Sequence, residues 1–96
     1  LNEPPVVAAV SRASLGPQAG ALAQKQDLDP HRFSQAWQCA RAATSGRIVA
    51  LANSTVDATP VLLVYTRSGA TTLVTVVTGC ETGRPSPEQS ALVSRR

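Results

Sequence analysis

Apolar positions change their spacing partway along this chain, and the change divides it. Between Asp29 and Ala43, Phe33, Ala36, Trp37 and Ala40 recur at i, i+3, i+4 and i+7, the single stripe of an amphipathic helix. Gln35, Gln38 and Arg41 fall off that stripe, and Cys39 projects from its flank. Asp29 is a good N-cap, Pro30 suits a first helical position, and Gly46 after Ser45 supplies a left-handed stop. The spacing predicts a helix from His31 to Ala43. Nearer the start, Asn2 can cap and Glu3 favours a helix N-terminus, while Val6, Val7 and Val10 share a face. A short helix to about Ser14 is expected there, stopped by Gly16-Pro17. Leu15 to Asp27 has helical propensity near Ala21–Lys25 but no strong stripe, and reads as a loose helical turn or a connection.

From Arg47 onward the period is that of strands. Arg47–Ala52 and Ser54–Val56 read as one interrupted strand, with Asp57-Ala58 as a tight turn, although Ala resists positive φ. Thr59–Tyr65 is the second strand, and Pro60 near its start marks an edge or non-bonded position. Arg67-Ser68-Gly69 suits a type I turn with a Gly bulge, leading into a third strand, Thr71–Thr78, rich in Val and Thr. Hairpins in series make an antiparallel meander. In the third strand Leu73, Thr75 and Val77 share one face and Val74 and Val76 the other, and neither face is strongly polar. Cover on both sides is expected, the Phe33/Trp37 helix on one and the N-terminal helix on the other. A face left bare would instead be a dimer or ligand surface. After Cys80 the run ETGRPSP is a loop. Ser86 to Gln89 matches a capping box, but Ala91–Ser94 as a short final strand is the preferred reading.

The expected architecture is therefore α+β: a meander of three to four strands, one main helix packed on it and a short N-terminal helix. Ninety-six residues make one domain. Within it, 1–28 hold the N-terminal helix and connection, and 29–96 the main helix and sheet. Such a chain buries about 65% of the surface its unfolded form exposes. With three aromatics (Phe33, Trp37, Tyr65), the core is built from Ala, Val and Leu and is thin. A covalent staple is useful in that setting. Two cysteines far apart in sequence, Cys39 and Cys80, fit one disulfide in an oxidising compartment. Two free buried thiols in a cytosolic protein are the alternative. Methionine is absent, so Leu1 is not a translational start, and the chain is expected to be a piece or processed form of a longer one. No apolar run approaches the length of a membrane span.

Candidate chemistry is sparse. The net charge is +3, and the arginines are dispersed without a basic run or interleaved aromatics, which argues against a nucleic-acid surface. His31 is the single histidine, and beside Asp29 in a helix's first turn it forms an exposed pair rather than part of a triad. One His and two distant Cys do not make a metal site, and the six acidic residues show no glycosidase-like pairing. Asn53-Ser54-Thr55 matches a glycosylation sequon, read here as strand-edge polarity. No C-x-x-C motif is present. Neither catalytic residues nor a cofactor is expected. The disulfide is the one site these residues point to.

From Trp37 to Val93 the order of features resembles the extracytoplasmic domain of membrane-tethered anti-sigma factors of actinobacteria. A Cys-bearing helix (AWQCARAA) is followed by a strand leading into Val56-Asp57-Ala58-Thr59-Pro60. Then come VLLVY, a short Gly turn, LVTVV and a Cys-containing loop (TGCETG). The resemblance covers somewhat over half the chain, and Ala58 stands where the family's turn usually has Gly. It implies a non-enzymatic sensory domain following a transmembrane helix that lies outside this sequence. A cytoplasmic domain, also outside it, would bind an extracytoplasmic-function sigma factor, and an extracytoplasmic protein or protease would be the other partner. The competing expectation is a stand-alone secreted or lipid-anchored binding module built on the same stapled sheet.

Overall fold

A computed structural model describes residues 9–25 and 34–93. Two helices, α1 (Leu15–Lys25) and α2 (Ser34–Ala43), precede four strands: β1 (Arg47–Val56), β2 (Thr59–Ser68), β3 (Thr71–Thr78) and β4 (Ser86–Leu92). The strands lie in one sheet in the order β1-β2-β3-β4, each antiparallel to its neighbour. This is the expected α+β meander, with all four strands present.

Each hairpin turn follows from its residues. Asp57 and Ala58 both carry positive φ (52° and 67°), the two-residue connection whose twist matches that of paired strands. Ala58 resists that conformation but does not prevent it. Between Ser68 and Thr71 the loop is Gly69-Ala70, with positive φ only at Gly69. That is the pattern of a type II′ turn and not the expected type I turn with a bulge, because β2 runs on through Arg67 and Ser68. β1 is continuous through Asn53. Its irregularity falls between Ile48 and Ala50, where a β-bulge turns both Val49 and Ala50 toward the same cluster.

β4 starts earlier than expected. Ser86 to Gln89 is strand, not a capping box, because the ladder to β3 extends from Thr78↔Ser86 to Leu73↔Leu92 and outweighs a four-residue local pattern. Pro87 is tolerated since β4 is an edge strand and the register slips between Val76 and Val77 there.

Both faces of the sheet are covered. On one, Val10, Leu15 and Ala19 meet Ala52 and Val56 of β1, Leu63 and Tyr65 of β2, and Val74 and Val76 of β3. On the other, Ala40 meets Ile48, Leu51, Leu62, Val64 and Val77, with Trp37 and Ala43 partly buried against them. α1 lies over β3 and β4, and α2 over β1 and β2 on the opposite side. The expected stripe of α2 is thus the packed one at Ala36, Trp37 and Ala40, while Asp29 to Phe33 lie outside the described residues.

The N-terminal cover differs from expectation. Residues 9–14 are not helical, and the rest of the predicted Asn2–Ser14 helix lies outside the described residues. Val10 bridges Val56, its N–H donating to the Thr55 carbonyl at 3.0 Å, so burial against β1 wins over local helical spacing. Ser11 to Ser14 form a turn, and the helix begins at the Gly16-Pro17 expected to end one. Proline costs little in a first turn, where its missing N–H has no intrahelical acceptor. The Ser14 carbonyl accepts the Gln18 N–H at 3.0 Å, and the Gln18 side chain accepts the Ser11 N–H at 2.7 Å. Gly16 lets α1 approach β4, since a Cβ there would collide with the Leu92 carbonyl oxygen.

Candidate functional site

Cys39 and Cys80 form a disulfide across 41 residues, with Cα atoms 5.8 Å apart, inside the range a bridge requires. Helix spacing places Cys39 beside the Ala36–Ala40 stripe of α2, and both cysteines pack partly buried at the margin of the α2 cluster.

Cys80 is held by a closely wound loop. β3 ends at Thr78; Gly79 (φ 84°) and Gly83 (φ 76°) then bracket a single 3₁₀ turn, Cys80–Thr82. The Gly79 carbonyl accepts from the Thr82 N–H (3.2 Å), the Thr82 hydroxyl (3.0 Å) and the Arg84 N–H (3.0 Å). The Gly83 N–H donates to the Cys80 carbonyl at 3.3 Å. Positive φ and the approach of the Arg84 carbonyl exclude any side chain at Gly79. The loop therefore presents Cys80 from a fixed base.

The α1 side is fastened without covalent help. The Tyr65 hydroxyl donates to the Ala19 carbonyl at 2.8 Å, and Tyr65 is 1% exposed. Burial pushes that phenol up to about 12. At the sheet end nearby in sequence to Val10, the Arg12 guanidinium meets Asp57 at 3.0 Å and Gln89 at 3.4 Å, while the Gln89 amide donates to the Arg12 carbonyl at 3.0 Å. Both ends of that ion pair are exposed, so it contributes at most about 1 kcal/mol. The sequence pattern does not show that Tyr65 fastens α1 or that Gln89, a capping-box residue by its local pattern, bonds Arg12. A lone tyrosine in an otherwise apolar strand was the available signal, since a buried hydroxyl needs an acceptor.

Polar side chains of β3 and β4 are matched to each other. Thr75 and Ser90 pair hydroxyls at 3.0 Å across β3 and β4, and the Thr78 hydroxyl donates to Glu88 at 3.1 Å. Among the described residues no group of three or more His, Cys, Asp or Glu side chains is placed to hold a metal ion. His31, Asp27, Asp29 and Glu3 lie outside the described residues. Asn53 of the sequon sits within β1, paired with Leu62 and partly buried. No described helix is long and apolar enough to cross a membrane.

Compared with protein-family models, curated proteins and solved structures, the chain matches none.

Proposed function

We propose that this chain is the extracytoplasmic regulatory domain of a membrane-tethered anti-sigma factor, acting as a sensory or partner-binding module and not as an enzyme. The observation that carries the reading is the Cys39–Cys80 bond. Such bonds persist in oxidising compartments, and this one joins the two features, a Cys-bearing helix and a Cys-bearing loop after the third strand, on which the family resemblance rests. On this reading the membrane span and the sigma-binding domain belong to the longer protein, and the domain outside the membrane sets how readily its signal or a protease releases the sigma factor.

The test is genetic and direct. The reading frame upstream of Leu1 should encode a transmembrane helix preceded by a cytoplasmic helical domain. Deleting residues 1–96 from that full-length protein should alter transcription from a promoter of the cognate sigma factor. A cleavable signal peptide directly before Leu1 would overturn the reading in favour of a secreted or lipid-anchored module. An unaltered reporter would count against a regulatory role.

A further inference from the structure

The two helical layers are fastened by different means. On the α1 side the described buried cluster has eleven members, including Leu15 of the helix and Val10 of the preceding segment. It is supplemented by the Tyr65–Ala19 hydrogen bond and by the close seat of Gly16 on β4. On the α2 side the described cluster has six buried members, and the helix itself contributes only Ala40 to them. Its other described contacts are Ala36, Trp37, Cys39 and Ala43, all partly buried. Ala36, Ala40 and Ala43 offer little apolar area, so the described part of α2 is held noncovalently chiefly through Trp37, a single half-buried side chain. Chain connection from Ala43 to Arg47 holds one end of the helix near β1. The disulfide holds the helix one turn further in, at Cys39, and it reaches not to an adjacent strand but to the glycine-bracketed β3–β4 loop.

From this asymmetry we infer that Cys39–Cys80 is a redox latch on one layer: its reduction lets α2 leave the sheet, baring Leu51, Leu62 and Val64, while the meander and the α1 layer stay folded. The chemistry is a thiol–disulfide exchange with an external dithiol. A reductant thiolate attacks one sulfur of the bridge and forms a mixed disulfide, releasing the other cysteine as a thiolate that takes up a proton. The reductant's second thiolate then displaces the protein sulfur. Cys39 and Cys80 end as two thiols, and the reductant, which supplied both electrons, ends as a cyclic disulfide. The inference requires nothing of the sigma-factor reading, because it concerns the mechanics of the chain itself.

Hydrogen–deuterium exchange tests it on the purified chain, oxidised and after treatment with dithiothreitol without denaturant, alongside a Cys39→Ser/Cys80→Ser double variant. The expected result is a selective loss: amides of 34–44 exchange at least tenfold faster in the reduced chain and in the variant. Those of α1, β2 and β3 keep their protection. Loss spread evenly over every element would overturn the latch and make the bond a requirement of the whole fold. Unchanged protection in 34–44 would overturn it by showing that packing alone holds α2. Failure of dithiothreitol to reduce the bridge in the folded chain would overturn it as a switch, whatever the variant shows.

Discussion

The hydroxyl of Tyr65, in the second strand, donates to the carbonyl of Ala19 in the first helix at 2.8 Å. One polar atom in the apolar face of the sheet thus locates the helix above it. Replacing Tyr65 by Phe keeps the ring and removes that bond. It should cost about 0.5 to 1.5 kcal/mol, because the Ala19 carbonyl retains its helical position. The same pair gives an alkaline limit. Folding raises this phenol from its ordinary 10 to about 12, so the native state holds the proton more tightly than the unfolded chain. The contribution is complete below pH 10 and is lost as pH rises from 10 toward 12, by about 2 to 3 kcal/mol in all. Denaturant melts across that range should fall more steeply for the native chain than for Tyr65→Phe. Parallel curves would refute the assignment.

Ala58 occupies a left-handed position (φ 67°) in the β1–β2 turn, where its Cβ is strained and glycine is not. Ala58→Gly should stabilise the domain by about 0.5 to 1 kcal/mol despite the added freedom of the unfolded chain. The melting temperature should rise by about 2 to 6 °C. A fall would mean that the turn is not of this type.

Gly16→Ala should do the opposite. Helix propensity alone favours alanine by about 1 kcal/mol. Here, however, the new methyl group meets the Leu92 carbonyl, a backbone atom that cannot swing aside. A net loss of about 1 to 3 kcal/mol is expected in chemical denaturation. A gain would show that α1 does not sit against β4.

Arg47 and Arg67 face each other across β1 and β2, both exposed. Like charges directly opposed destabilise a sheet, and opposite charges stabilise it by about 0.2 to 1 kcal/mol. Arg67→Glu should therefore raise stability at low salt, with the gain shrinking as salt is added. A salt-independent effect would contradict the register.

The parts of this fold legible in sequence are those where local pattern and tertiary packing agree. The α2 stripe at Ala36, Trp37 and Ala40, the Asp57-Ala58 turn, the Val-rich β3 and the cysteine pairing all belong there. So does the demand for cover on both faces, which Val74 and Val76 opposite Thr75 and Val77 already implied. The misplaced parts are those where a distant contact outranks a local cue. Val10 is drawn out of its helical spacing by the Thr55 carbonyl. Gly16-Pro17 looks like a stop but opens a helix, because the glycine is there to let the Leu92 backbone come close. Ser86 to Gln89 looks like a helix start but pairs with β3, and its Pro87 is accommodated by an edge and a bulge that only the assembled sheet provides. For the site, two cysteines identified the bridge. The glycine-bracketed loop that fixes Cys80 has no sequence cue beyond its glycines, since its carbonyl hub forms only when the loop is wound.

Disulfide mapping of the chain isolated from its own cells, with thiols blocked at lysis, tests most directly the claim that a bond between Cys39 and Cys80 holds α2 to the sheet. Trypsin, which spares Arg84-Pro85, should release residues 33–41 joined to residues 68–95, a pair that separates on reduction. Recovery of both cysteines carrying the blocking group, before any reductant is added, would contradict the account at its base.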